Sequence, residues 1–444
     1  MDGLQSWTWS YDGWVMLGGL LCAVAASLPG NFLVLRRMSL LGDAVSHAVL
    51  PGLALAFWIT QSRSGLPVFA GAVTTGLITA MLTQWIRDVG KVDEGASIGV
   101  VFTTLFAAGL LLMSQAAPRV DLDPGCVLYG VLEASPLDTV TIAGFGIPRV
   151  VLMLSIVLLI NIAFIVLMFK ELLISSFDPG LATTAGCSAR LMHYLLMVIV
   201  AITTVASFEA TGNILVVAML IVPPSTALLL TDRLSRMILI SAAVAAASAI
   251  LGDAAAVTVP RWFGFRSTST AAMMTVCTGL IFLVTAICAP GRGLMAVWLR
   301  RQRLSLRILA EDTIALMYRL DERGADEPVQ ASQLSRKLLS STLQTWMALQ
   351  RQRFRGWVVA ELAGYRLTSA GRQAAAALVR SHRLWETYLV HEGVDAGVIH
   401  RQAEVLEHFT GRSLRDKLQA EGPASDRDPH GSVIPTEDPD LAPP

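Results

Sequence analysis

The chain has 444 residues, 54% of them hydrophobic and 15% charged, and its formal net charge is zero. Soluble domains carry about a quarter charged residues, so the average composition excludes an ordinary soluble protein. The balanced charge gives no strong reason to invoke nucleic acid or an anionic bilayer surface as a partner.

The average hides a break near Pro290. Residues 1–290 hold 13 Lys/Arg and 15 Asp/Glu, and the last 154 residues hold 21 and 19. The second part is thus charged like a soluble domain. All five cysteines (Cys22, Cys126, Cys187, Cys277, Cys288) lie in the first part and none forms a CxxC. Neither a disulfide framework nor a thiolate metal site is expected. No basic segment precedes the first apolar run, which continues at full spanning length, so a cleavable signal peptide is not expected.

Nine apolar runs long enough to cross a bilayer follow one another, at about 14–35, 44–61, 66–86, 95–115, 147–169, 191–208, 212–231, 236–257 and 271–290. The expected fold is an all-α polytopic membrane domain over 1–291. Gly and Ala are frequent in these runs, which suits close helix packing in lipid. Arg36-Arg37, Arg87/Lys91, Lys170/Arg190, Arg233/Arg236 and the whole tail alternate onto one side, which the positive-inside rule makes the cytoplasm. An odd number of spans then puts the N-terminus outside and the tail inside. The 116–146 loop has room for a re-entrant segment.

Asp43 and His47 stand one helical turn apart at the mouth of the second run, in Gly42-Asp43-Ala44-Val45-Ser46-His47-Ala48-Val49-Leu50-Pro51-Gly52. A carboxylate and an imidazole at i and i+4 share a helix face and can reach one cation. Polar groups at such a place are costly without work or a partner. The plain alternative is a helix start capped by Asp43, with His47 buried and neutral.

After Arg292 the periodicity changes. Residues 296–323 predict one amphipathic helix, basic at its start (Arg300, Arg301, Arg303, Arg307). Segments 329–339 and 341–353 predict two short helices. Residues 356–359 and 364–368 predict a hairpin, and helices are expected over 369–391 and about 395–418. Residues 420–444, rich in Pro, Asp and Ser, predict irregular chain. This makes a soluble winged helix-turn-helix domain at 296–372, a helical metal-binding and dimerisation domain at 373–435 and a disordered tail at 436–444. Glu404, Glu407 and His408 fall at i, i+3 and i+4, with His400 one turn earlier, and His382 and Glu386 form another i, i+4 pair. A solvated helix face is the plain alternative. Carboxylates with imidazole and no thiolate favour Mn²⁺ or Fe²⁺ over structural zinc.

The segment from Arg37-Met38-Ser39-Leu40-Leu41 through Gly52 closely resembles the signature of ABC-type permeases for zinc, manganese and iron(II). Lys170-Glu171-Leu172-Leu173, Ser176-Phe177-Asp178-Pro179 and Ala185-Gly186 resemble the ATPase-coupling segment of that family. Gly212-Asn213-Ile214-Leu215-Val216 through Val222-Pro223-Pro224 resembles its following helix. The resemblance implies a transport path lined by Asp43 and His47. It also implies an ATPase coupling site at Phe177, Asp178, Pro179, Ala185 and Gly186, and a second permease copy or paralogue. An ABC ATPase subunit and an extracellular metal-binding lipoprotein are the other implied partners. The chain has no GxxxxGK[ST], so ATP hydrolysis is expected on the separate subunit and not on this one. The cargo would be a divalent transition metal ion, with Mn²⁺ ahead of Fe²⁺ and Zn²⁺.

From about 308 to 435 the tail resembles metal-dependent repressors of the diphtheria-toxin-repressor and manganese-repressor family. Ala331-Ser332-Gln333-Leu334, Leu367-Thr368-Ser369-Ala370-Gly371, Ser381-His382-Arg383-Leu384-Trp385-Glu386, Leu406-Glu407-His408 and Asp428-Pro429-His430-Gly431 carry it. By position it implies a sensor set of Asp312, His382, Glu404, Glu407 and His408, and an ancillary set of Glu386 and His400 with His382. Ala315 stands where the manganese branch has an acidic ligand, so one full site is implied more firmly than two. DNA is a further implied partner. Ser341, Thr342, Gln344 and Thr345 would face base edges, and Arg351 and Arg353 phosphates. A groove-facing Trp346 would be unusual. The second functional reading is accordingly a membrane-anchored, metal-dependent DNA-binding regulator.

Overall fold

The computed structural model describes residues 11–60, 66–116, 132–142, 145–265, 267–324, 327–423 and 426–436. The chain divides after Ala296 into two compact units.

In the membrane unit, α1 (Asp12–Leu35) packs against α10 (Asn213–Leu230), α11 (Leu234–Trp262), α6 (Arg149–Leu167) and α9 (Ala189–Thr211). It is lined with small residues, and Cys22, Ala23, Ala25, Ala26 and Phe32 are fully buried. Two buried amides at this depth pair with other helices, which lowers the cost of placing them away from water. The Asn31 amide donates to Ser241 Oγ at 2.7 Å, and the Asn161 amide to the Ala25 carbonyl and to Thr203 Oγ1, each at 2.9 Å. Among the described residues, eight helical segments are long and apolar enough to cross a membrane. The expected run at 212–231 is also helical (α10), but its apolar stretch is shorter and contains Pro223 and Pro224.

The second span departs from the expectation of one helix over 44–61. It starts earlier and consists of α2 (Leu40–Ala48) and α3 (Leu50–Thr60). Pro51 is the cause: it lacks the N–H that would bond the His47 carbonyl in a continuous helix. α3 crosses α4 (Leu66–Gly90) at Gly52 and Gly71, where a Cβ on either glycine would overlap the backbone of the other. α5 (Glu94–Ala116) packs against both halves of the broken span. In the 116–146 loop, Leu132–Leu137 forms a 3₁₀ turn. β1 (Thr139–Ile142) pairs antiparallel with β2 (Phe145–Pro148). The suggested re-entrant segment falls mostly on 117–131, outside the described residues. α7 (Phe169–Phe177) and α8 (Pro179–Thr184) lead into α9, and α12 (Thr270–Cys288) closes the unit.

The second unit follows the predicted order closely at first. α13 (Leu294–Glu322), α14 (Ala331–Lys337) and α15 (Thr342–Phe354) precede the hairpin β3 (Val358–Glu361) and β4 (Gly364–Leu367), with Val358 opposite Leu367. Ile314, Met317, Leu334, Leu349, Val358 and Ala375 form their core. α16 (Ser369–His391) continues the chain. The helix expected over 395–418 is instead α17 (Ala396–Leu406), a 3₁₀ turn at Glu407–Phe409 and α18 (Arg412–Glu421). The break is anchored by Trp385, whose indole N–H donates to Thr410 Oγ1 at 2.8 Å. α18 runs into the segment expected to be irregular, and beyond it residues 426–436 are tied down. Asp428 Oδ1 accepts from the His430 and Ser432 amides at 2.9 and 2.7 Å, and Ile434 is buried. The disordered tail expected at 436–444 lies outside the described residues from 437 on.

Candidate metal centres

In the membrane unit, Asp43 and His47 both lie on α2, and Oδ1 of Asp43 is 3.5 Å from Nε2 of His47. Their side chains are 46% and 24% exposed within this single chain, so the pair fronts an open space rather than the packed core. The His47 ring meets Phe102 and Phe106 of α5, with centroids 5.4 and 5.9 Å away. These rings restrict how the imidazole turns while leaving the carboxylate accessible. A carboxylate and an imidazole together accept Mn²⁺, Fe²⁺ or Zn²⁺. Sequence reasoning passed over Asp253, a buried carboxylate within the span Leu234–Trp262. Its placement amid apolar residues was the available signal.

The segment expected to couple to the ATPase forms two short consecutive helices, α7 and α8. Asp178 caps α8, its Oδ1 accepting from the Leu181 amide at 2.9 Å, and Pro179 fills the first helical position. Gly186 takes φ +83° and ends α8, a conformation that Cβ-bearing residues resist. Phe177 and Leu181 are exposed, which presents two apolar side chains beside a rigid turn.

The tail brings its predicted ligands, apart from Glu404, together in two groups. Asp312, Glu407 and His408 offer ligand atoms within 4.8 Å of one another, and so do His382, Glu386 and His400. In the first group, His408 Nε2 is 3.1 Å from Asp312 Oδ1 and 3.9 Å from Glu407 Oε1. The 3₁₀ turn makes this possible by aiming Glu407 and His408 inward from consecutive positions. In the second group, Glu386 Oε1 lies 3.1 Å from His382 Nε2 and 2.8 Å from His400 Nδ1. The first group is enclosed, with the His408 side chain 4% exposed, and the second opens to solvent through His400.

One expectation needs correction. Glu404 is exposed and belongs to neither group, because α17 ends at Leu406 and turns the chain after it. His382, expected in both sets, clusters with Glu386 and His400 through Nε2, while its Nδ1 lies against Glu407. Two residues were missed. Glu311 Oε2 lies 3.0 Å from His408 Nδ1, and His430 Nε2 lies 3.6 Å from Glu386 Oε1. Glu311 adjoins Asp312 in sequence, but helical spacing gave no reason to turn both inward. His430 arrives from a distant loop shaped by Asp428.

The charges are tightly compensated. Burial would lower the His408 imidazole, but Asp312 and Glu311 raise it to about 10. Burial likewise opposes the charged form of His382, yet Glu386 and Glu407 raise it to about 9. Burial works against the ionised Glu386 carboxyl, and His382 and His400 overcome it, bringing it down to about 2. Glu311 is held below the usual carboxylate range, burial being outweighed by His408 and by Arg307, whose Nε donates at 2.9 Å. Without a cation, protons on the imidazoles balance the carboxylates. The donor set fits a divalent metal that would replace those protons.

The predicted DNA-facing residues divide. Ser341, Thr342 and Gln344 are exposed, but Ser341 and Gln344 form a capping box on α15. Thr345 is fully buried and bonds Ser340 Oγ at 2.7 Å, so it is not available to a base edge. Trp346 and Leu343 are exposed on the same helix. Arg353 is exposed and Arg351 half-buried.

Residues 11–289 match the family model described as ABC 3 transport family. Residues 368–436 match the iron dependent repressor, metal binding and dimerisation domain. Over 390 residues, covering 85% of this chain and 84% of the relative, the sequence is 30% identical to the manganese transport system membrane protein MntC of Bacillus subtilis. It is 44% identical to the manganese transport system membrane protein MntD of the same organism, over 46% of this chain and 69% of that one. The structure of PsaBC from Streptococcus pneumoniae in complex with Fab aligns with a TM-score of 0.53 at 30% identity, over 66% of this chain and 95% of the other. These matches settle the family: the chain is a member of the ABC 3 transport family, with a metal-dependent repressor domain at its C-terminus.

Proposed function

We propose that this chain is the membrane subunit of an ATP-driven importer of divalent transition metal ions, manganese first, whose tail reads the metal on the cytoplasmic side. The Asp43–His47 pair on the interrupted second span carries this reading. A hydrated cation sheds water only where fixed donors replace it, and a carboxylate and an imidazole one turn apart supply two. A second copy or a paralogue would double that donor set across a shared axis. The Phe177–Gly186 segment would seat in a separate ATPase subunit, and an extracellular lipoprotein would deliver the ion. The N-terminus lies outside in this reading.

In the tail, Asp312, Glu407 and His408, supported by Glu311, would hold one ion. His382, Glu386 and His400, with His430 nearby, would hold another. Occupancy would feed back on transport, since exposed Leu343 and Trp346 and the buried Thr345 suit a protein contact better than a DNA groove. The test is uptake of radioactive manganese by vesicles holding the complete transporter with ATP inside. ATP-dependent accumulation, reduced when internal manganese is raised, is the expected result. Accumulation no faster than in empty vesicles overturns the transport reading.

A further inference from the structure

At the arginine-rich end of the membrane unit, α1, α4, the coupling segment and α9 surround a cavity of about 430 Å³. That lies within the range of small-ligand sites, roughly 300–1,000 Å³. Four arginines line it: Arg36, Arg37, Arg87 and Arg190. Among its described lining residues the one carboxylate is Asp88, which accepts from the Gln84 amide at 2.9 Å.

The cavity is built, not merely rimmed with charge. Arg36 Nε donates to Ser176 Oγ at 3.1 Å, and its NH2 donates to the buried Ser175 Oγ at 2.9 Å. Its NH1 lies 3.4 Å from His193 Nδ1, and His193 Nε2 is 2.9 Å from Gln84 Oε1. The guanidinium is therefore fixed before any ligand arrives. Arg37 adds an independent observation. It occupies the position just past α1 with φ +62°, and the Met38 amide bonds back to the Leu33 carbonyl at 2.9 Å. Glycine is the ordinary residue of that motif. Non-glycine residues on left-handed backbone carry a strain that clusters at ligand sites, and here the side chain lines the cavity.

Positive charge on this side of a membrane protein is common, but that tendency requires neither a concave wall nor a strained arginine. Guanidinium forks match phosphate oxygens two at a time. Three more arginines than carboxylates suit a multiply charged anion better than a single carboxylate. The volume exceeds what a bare phosphate fills and leaves room for an ester substituent. Trp85 and Leu191, next in sequence to the lining Gln84 and Arg190, are exposed apolar residues.

We propose that this cavity binds a phosphate-bearing anion, either the headgroup of an anionic lipid or free inorganic phosphate. Because Ser175, Ser176 and Pro179 line it, an occupant would also steady the coupling segment. The proposal stands apart from the metal reading and can fail alone.

The test uses the purified full chain in detergent. Native mass spectrometry measures retention of phosphatidylglycerol against phosphatidylcholine, and inorganic phosphate is titrated separately by thermal shift without lipid. Arg37→Gly relieves the backbone while removing the guanidinium, and Arg190→Gln removes charge alone. A lipid ligand gives selective phosphatidylglycerol retention that falls about tenfold or more in both variants, the loss of a charge-assisted fork. A free-anion ligand gives a saturable phosphate shift that both variants abolish, with no lipid selectivity. Either result supports the site. Equal phosphatidylglycerol retention by wild type and variants without a phosphate shift, a phosphate shift that both variants keep, or no response to either probe overturns it. Loss of ATPase co-purification in Arg190→Glu, with neither probe bound by wild type, also overturns it and assigns the cavity to a subunit contact.

Discussion

Nδ1 of His382 lies 2.6 Å from Oε2 of Glu407, and this contact ties the two ligand groups of the tail together. His382 turns its other nitrogen to Glu386, so one imidazole serves both groups. Arg319, 3.9 Å from the same Glu407 oxygen, adds a competing cation. Filling one group must therefore alter the charge facing the other.

Glu407→Gln, which removes a charged donor from the first group, should weaken manganese binding by at least about 10–100-fold, the range for losing a supporting partner of a metal site. Glu404→Gln should change it less than about threefold, because its carboxylate stands outside both groups. Equilibrium dialysis of the full chain in detergent checks both. Equal losses would show that α17 rearranges around the ion.

Metal stabilisation should grow with pH. The folded-state values of His382 and His408, about 9 and about 10, lie above the ordinary imidazole value near 6.5. Their contribution to the metal-free fold is complete below about 6.5 and is lost as pH rises toward 9 and 10. Glu386, brought down to about 2, contributes above its ordinary value near 4.5 and loses this as pH falls toward 2. Metal competes with the imidazole protons, so its affinity rises as they leave. Thermal unfolding with and without manganese, from pH 6.0 to 8.5, should show a widening gap. A constant gap would mean that no proton is displaced.

Asp43→Asn should cut manganese uptake more than about tenfold while the transporter still assembles, because the neutral amide keeps the shape and removes the charge that replaces lost water. Phe102→Ala should act more mildly, freeing the His47 ring without removing a donor. Transport assays on equal amounts of assembled complex decide. Normal uptake by Asp43→Asn would remove the pair from the path.

Gly71→Val should prevent the α3–α4 crossing. Even a Cβ at Gly71 would strike the Gly52 carbonyl, and backbone cannot yield as a side-chain end can. The expected result is loss of monodisperse protein on size-exclusion chromatography. Gly99→Ala, where a Cβ meets nothing within 4 Å, is the matched control and should behave as wild type.

Ser341→Ala should destabilise the tail by about 1 kcal/mol through loss of the capping box. Thr345→Val should cost a similar amount, about 1 kcal/mol for its hydroxyl bonds. Neither change should alter feedback of internal metal on transport. Metal-dependent retention of promoter DNA by the full chain, lost in Arg353→Ala, would instead favour the DNA-binding regulator.

The sequence alone determined the helical membrane architecture, the charged tail and its order of short elements. Hydrophobic runs and helical periodicity are local properties, legible one segment at a time. Asp43 and His47 were legible for the same reason, as i, i+4 neighbours on one helix. Only the tertiary structure decided the rest. It set His382 between the two ligand groups, excluded Glu404, buried Thr345 and brought in Glu311 and His430. Each of these turns on where one element ends and which distant element meets it. The 3₁₀ turn at Glu407 and the Asp428 loop are set by contacts between residues far apart in the chain, which spacing along a single helix does not encode.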